Sequence, residues 1–223
     1  MTTPILLFAA GLGTRMGALT KTMPKPLVKV AGKPLIDHAL AFTQISAIGN
    51  KVVNVHYCAD QMHAHLAGRG IATSDETDLL RNTGGGLRHA LPLLGASPAL
   101  TMNTDAVWRG PNPIEAVLGA WRDDMEALLL VVEKRNVHGH LGKGDFQIDD
   151  QSRLHRAPDM IYTGVQMIRT ETIDHIDDPS FSLNLAWNDI ATRGGLYGVK
   201  YDGQWCDVGQ PSSIPIAEAM LYV

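Results

Sequence analysis

The stretch Ile5-Leu6-Leu7-Phe8-Ala9-Ala10-Gly11-Leu12-Gly13-Thr14-Arg15-Met16 decides the architecture. Its first part is a continuous apolar run that stops at Gly11, the pattern of a strand buried on both faces. Its second part sets small residues where that strand turns, so backbone amides can approach an anion with no Cβ in the way. A doubly buried strand requires helices on both sides of its sheet, and the flanking sequence supplies them. Leu35, Ile36, Ala39, Leu40, Phe42 and Ile45 recur at helical spacing between Pro34 and Gly49-Asn50, which predicts a first crossover helix. Residues 51–57 and 71–74 read as strands around a helical stretch at Gln61, Met62 and Leu66. Residues 84–94 read as a helix whose glycines leave its N-terminus open to a ligand.

Beyond these, residues 99–103 and 127–132 are further strands. The pattern then loosens into glycines and histidines, with Asp145-Phe146-Gln147-Ile148 facing Arg153-Leu154-His155 as a hairpin. This predicts a small inserted β lobe at about 137–164. Regular elements resume with a strand at 161–168, a helix at 184–191, a strand at 196–201 and a helix at 211–222. No repeat or linker divides the chain, so residues 1–223 read as one α/β domain with a mostly parallel sheet.

Composition narrows the function. At 223 residues the chain can bury a core without staples, and 19 basic against 23 acidic residues leave a net charge of −4, the wrong sign for a protein that binds nucleic acid. No apolar run is long enough to span a bilayer and the N-terminus lacks a basic signal region, so a cytoplasmic protein is expected. Cys58 and Cys206 form no C-x-x-C pair and read as small buried hydrophobes. His63 with His65, and His138 with His140, have the H-x-H spacing of some zinc sites. The first pair falls in a helical pattern, where positions two apart diverge, and is expected to be solvated; the second is expected to border a substrate entrance.

The glycine turn is not a Walker loop, because no Gly-Lys-Ser/Thr follows, and it lacks the third glycine of the dinucleotide fingerprint. Pro24-Lys25-Pro26-Leu27 follows instead, with two prolines fixing the backbone on either side of one lysine. Lys25 and Arg15 are two cations available to a polyphosphate. Asp105, just after the strand at 99–103, sits at a carboxyl edge where open α/β sheets bind ligands. Asp207 follows a strand-like approach through Trp205.

The blocks Ala9-Ala10-Gly11-Leu12-Gly13-Thr14-Arg15-Met16, Pro24-Lys25-Pro26-Leu27 and Val30-Ala31-Gly32-Lys33-Pro34-Leu35-Ile36 together resemble the N-terminal signature of the sugar-1-phosphate nucleotidyltransferases. Within that family the chain is most similar to the bacterial N-acetylmuramate-1-phosphate uridylyltransferases, with mannose-1-phosphate guanylyltransferases as close relatives. The likeness continues through Thr83-Gly84-Gly85-Gly86, Gly144-Asp145-Phe146, Tyr162-Thr163-Gly164 and Trp205-Cys206-Asp207-Val208-Gly209. The resemblance implies a three-layer, Rossmann-like fold and a magnesium-dependent enzyme joining a nucleoside triphosphate to a sugar 1-phosphate; a monomer is expected by default, because the sequence shows no hexapeptide-repeat domain, one route to trimers in the family. It implies that Lys25, Arg15 and Asp105 are catalytic. Nucleotide contacts would come from Ala10, Gly11, Gly13, Thr14, Arg15, Lys25, Asn82, Gly84, Gly85 and Asp105. Asn54, Asp145, Thr163 and Gly164 would bind the sugar, while Asp105 and Asp207 would hold magnesium.

Two positions depart from the family pattern. Thr104 stands where a glycine usually precedes the metal aspartate, which is expected to narrow the site or alter its backbone angle. Asn82 stands where uridylyltransferases of this type tend to carry an acid, which bears on base choice. Two readings of other classes compete. A dinucleotide-dependent oxidoreductase would want an acid at the end of the second strand, where Asn54, His56 and Tyr57 stand. A noncatalytic nucleotide-sugar sensor has no need of Arg15, Lys25, Asp105 and Asp207 together.

Overall fold

The apolar run at the N-terminus forms a strand with four consecutive buried residues, so both of its faces are covered. The computed structural model describes residues 2–222. Its strands are β1 (Thr3–Phe8), β2 (Lys29–Val30), β3 (Lys33–Pro34), β4 (Ile48–Val55), β5 (Ala72–Asp75), β6 (Ala99–Asn103) and β7 (Ala106–Arg109). They continue as β8 (Ala127–Val132), β9 (Val137–His138), β10 (Phe146–Ile148), β11 (Leu154–Arg156), β12 (Ile161–Ile168), β13 (Leu196–Lys200) and β14 (Gln204–Asp207). The helices are α1 (Leu35–Phe42), α2 (Ala59–Leu66), α3 (Asn82–Leu94), α4 (Pro113–Ala120), α5 (Leu183–Thr192) and α6 (Ser213–Tyr222).

Seven strands form the central sheet in the order β13-β8-β12-β6-β1-β4-β5. β1 runs parallel to β4 and β6, β4 to β5, and β13 to β8, whereas β12 is antiparallel to both of its neighbours. The reversal follows from the connection: β12 is reached through the β lobe, not through a helical crossover. Alternation along β1 sends Ile5 and Leu7 to one face, where α1, α2 and α4 pack, and Leu6 to the other, where α3 and α5 pack. The result is the expected three-layer α/β arrangement. A third cluster of Met16, Val28, Leu35, Val107, Cys206, Val208 and α6 residues seats the loop after β1 on a small sheet ordered β7-β14-β9.

Several expected boundaries move. The first helix ends at Phe42, because the Thr43 hydroxyl turns back and donates to the Leu40 carbonyl at 2.8 Å, and Gly49 and Asn50 belong to β4. The inserted lobe closes by residue 160: β9 joins the small sheet, β10 and β11 form the predicted hairpin, and residues 161–164 already begin β12. The histidines of α2 are also paired. His65 Nε2 lies 2.9 Å from Asp37 Oδ1, an oxygen shared with Arg69, and His63 contacts Asp75.

Candidate active site

The turn after β1 is built around Gly13, which has φ +65°, a left-handed conformation that favours glycine. A Cβ there would meet the Lys25 Cβ at 2.9 Å, so the absence of a side chain lets the proline-held lysine close onto the loop. Ala10 and Gly11 line a cavity of about 380 Å³ together with Lys25, Asn54, Glu76, Asn82, Thr83, Asn103 and Asp105. Thr14 opens the short 3-10 turns that follow, Thr14–Thr20, outside that lining.

Lys25 and Asp105 meet at the cavity. Lys25 is only 9% exposed and donates from Nζ to Asp105 Oδ2 at 2.8 Å. Burial alone would push the Asp105 carboxyl up; the Lys25 charge and hydrogen bond, joined by Arg15, outweigh it and hold Asp105 below the ordinary carboxylate range. Asp207 moves the other way. Burial and then the negative charge of Asp105 raise it, against Lys25, His140 and Arg15.

The two aspartates are neighbours through the small sheet. Asp207 is paired in register with Ala106, and the Val208 amide donates to the Asp105 carbonyl at 2.8 Å. Arg15 reaches the same place over Gly209, where a Cβ would lie 2.9 Å from the guanidinium and 3.1 Å from Asp207 Oδ1. His140 Nδ1 lies 3.3 Å from Asp207 Oδ2, with its ring tilted against Trp205. Two neighbouring, mutually repelling carboxylates suit a divalent cation that takes most of its ligands from phosphate and water. Among the described residues no group of three or more His, Cys, Asp or Glu converges as a candidate metal site.

Thr104 lines the same cavity. It has no positive φ, and its hydroxyl donates to the Phe8 carbonyl at 2.7 Å, bracing the approach to Asp105 against β1. Asn82 does have φ +59°, which asparagine tolerates better than most residues, and its Oδ1 accepts from the Thr83 amide. The acid at this end of the cavity is Glu76, fully buried, whose carboxylate accepts from Asn54 Nδ2 at 2.8 Å and from the Arg81 amide at 3.1 Å.

Other expected residues fall elsewhere. Gly84 and Gly85 do not line the cavity: their amides donate to the Phe181 carbonyl, and the space a Cβ would need is filled by Phe181 and Pro179. Asn54 lines the larger cavity, apart from Asp145, and is 3% exposed, with Oδ1 accepting from the Ala9 amide at 2.7 Å. Thr163 is buried with its hydroxyl donated to the Leu130 carbonyl, and Gly164, at φ +88°, makes room for the Asn103 side chain. Asp145 lines a second space of about 230 Å³ with Arg156, Tyr162, Asn184 and Trp187. The two spaces share Phe8, Asn82, Thr83 and Asn103, so they adjoin.

The sequence reading missed Glu76, Asn103, Arg156 and Ser180. Glu76 was discoverable, since it follows a strand at its carboxyl end as Asp105 does. Ser180 sits in a loop with no local signal and lines the larger cavity through tertiary packing.

A strand, a glycine turn, a buried lysine on an aspartate and a second aspartate beside it define a site for transferring phosphorus-containing groups. Residues 5–156 match the family model described as the MobA-like NTP transferase domain, and the chain belongs to that family. An N-acetylmuramate alpha-1-phosphate uridylyltransferase of Caulobacter vibrioides is 39% identical over 97% of this chain and 96% of its own length. A protein of the same description from Neisseria meningitidis serogroup B is 30% identical over 96% of each chain. The solved inositol-1-phosphate CTP transferase of T. maritima shares the fold, with a TM-score of 0.80 at 14% identity, covering 99% of this chain and 95% of that one. No described helix is long and apolar enough to cross a membrane.

Proposed function

We propose that this chain transfers the uridylyl group of UTP to N-acetylmuramate 1-phosphate, forming a UDP-activated amino sugar for cell-wall recycling in the cytoplasm. The observation that carries the reading is the buried Lys25 on Asp105, with Asp207 alongside, at the end of a nucleotide-sized cavity. The two uridylyltransferase relatives favour this base and sugar over the guanylyl and mannosyl alternative.

An oxygen of the sugar phosphate attacks the α-phosphorus in line. A new P–O bond forms, the α–β anhydride breaks and pyrophosphate leaves, with no covalent enzyme intermediate. Catalysis is then positioning and charge neutralisation. Lys25 turns from Asp105 to the α-phosphate and its developing charge, and Arg15 holds the β and γ phosphates. Amides of Ala10, Gly11, Gly13 and Thr14 cradle phosphate and ribose, with Asn82 at the base edge. Gly84 and Gly85 serve by letting the 179–181 segment close against α3. Asp145 takes a sugar hydroxyl, with Thr163 and Gly164 shaping the wall behind it. Asp105 and Asp207 would hold a magnesium ion, which supplies charge neutralisation across the reacting phosphates. The constellation is complete within one chain, which suits a monomer.

The test is pyrophosphate release with magnesium, crossing the common nucleoside triphosphates against N-acetylmuramate, N-acetylglucosamine, glucose and mannose 1-phosphates. UTP with N-acetylmuramate 1-phosphate should dominate. Dominance of another pair would replace the substrate assignment, and silence in every pair would overturn the enzymatic reading.

A further inference from the structure

The smaller cavity contains a cation that the transfer chemistry does not use. Arg156, at the end of β11, is exposed and lies beside Asp145, Asn103 and the start of α5. Its guanidinium stacks 4.4 Å from the Phe146 ring centroid and 5.8 Å from that of Trp187. Nη2 donates to Asn184 Oδ1 at 2.7 Å and to Asn188 Oδ1 at 3.0 Å, and Nε donates to Asn188 at 3.3 Å. All of these partners are neutral. Asp145 is the single acid lining the cavity; its charge acts on Arg156 without forming an ion pair, and its Oδ2 accepts from the Tyr162 amide.

Arg156 therefore stands oriented and without a carboxylate. Two aromatic faces and two asparagines fix the plane of its fork, the arrangement that lowers the entropy lost when a guanidinium takes a planar anion. Ser182, Leu183 and Asn184 add the N-terminus of the ten-residue α5, whose dipole also favours negative charge there. The proposed transfer places the triphosphate and the reacting phosphate at Lys25 and Asp105 in the adjoining cavity, with Arg15 close by beside Asp207. On that placement, an anion at Arg156 would be a second acidic group on the acceptor.

We propose that Arg156 is a specificity residue that pairs with a carboxylate carried by the sugar ring, selecting a carboxylated hexosamine phosphate over its uncharged counterpart. The proposal rests on the sugar-1-phosphate transferase reading and adds the group that discriminates among acceptors. N-acetylmuramate 1-phosphate bears such a carboxylate on a lactyl ether, and N-acetylglucosamine 1-phosphate is the same ring without it.

The experiment measures kcat and KM with UTP for these two acceptors in the wild type, R156Q and R156K, and by calorimetry the affinity of each variant for the two sugar phosphates. In R156Q the KM for the carboxylated acceptor should rise about tenfold or more, the loss expected when a charge-assisted hydrogen bond is removed, while kcat/KM for the uncharged acceptor stays within about twofold. R156K should recover part of the preference. Equal losses for both acceptors would make Arg156 a packing residue and overturn the proposal, as would an unchanged preference. If no acceptor turns over but R156Q still abolishes a binding preference for the carboxylated sugar, the catalytic reading fails and the role of Arg156 stands.

Discussion

Asn54 offers a test that separates support from contact. Its Oδ1 accepts from the Ala9 amide at 2.7 Å and its Nδ2 donates to Glu76 at 2.8 Å, so one side chain ties the glycine loop to a fully buried carboxylate. Asn54→Ala leaves a buried backbone donor and a buried carboxylate oxygen each short of a partner. The first costs about 1–3 kcal/mol and the charged group more, so about 3–5 kcal/mol in total is expected. For a chain of this size each kcal/mol lowers Tm by about 2–4 °C, giving a fall of roughly 6–20 °C, readable by circular dichroism. Because the loop loses its anchor, triphosphate affinity should fall while the KM for the sugar phosphate holds. A Tm within about 2 °C of wild type would refute the reasoning, since it would mean that water entering the cavity replaces both hydrogen bonds. A selective rise in sugar KM would restore Asn54 as a sugar contact.

The remaining predictions concern charge. Lys25→Ala should lower kcat by about 10²–10³ with little change in triphosphate affinity, checked by steady-state kinetics beside equilibrium binding; a loss confined to binding would remove Lys25 from the chemical step. Asp105→Ala and Asp207→Ala should each abolish magnesium-dependent turnover. Asp207→Asn should do so while raising Tm in the metal-free protein, because burial and the neighbouring Asp105 charge disfavour the ionised form; a lowered Tm would contradict that electrostatic account. Burial, with the charge of Asp207, pushes the Cys206 thiol up to about 12. At pH 8 only about one molecule in ten thousand carries its thiolate, so a thiol reagent read by mass spectrometry should label the half-buried Cys58 and spare Cys206 until the protein unfolds.

Much of the fold was legible because the strands are continuous apolar runs and the helices obey their own period; β8, buried at every position, could hardly be read otherwise. The helix ends were less legible, since Thr43 ends α1 through a hydroxyl bond that hydrophobic spacing does not encode. In the site, Lys25, Arg15, Asp105 and Asp207 were found because charged residues next to glycine or proline at strand ends are locally conspicuous. Gly84 and Gly85 were less legible for the opposite reason. A glycine signals close approach without saying by what, and here the distant 179–181 segment lies against both. Arg156 carries no local signal at all, because its orientation depends on rings and amides contributed by β10 and α5.

The placement of the two aspartates also explains why the chain needs a second, smaller sheet. β6 ends at Asn103, and within three residues the backbone has left the central sheet to begin β7. Asp105 lies on that crossing, at the carboxyl edge where the amides after β1 are also found. A single sheet could offer its companion only from a neighbouring strand end, and those ends are committed to Asn54, Thr104 and the glycine turn. β14 solves this by pairing with β7, which brings Asp207 opposite Ala106 and bonds Val208 to Asp105. Arg15 is then gathered in by the bare Cα of Gly209, on the same strand end. The anionic pair and its second cation are therefore assembled only when the C-terminal strand docks, so a chain folded through β13 alone would retain the cavity at the end of β1 and lack Asp207.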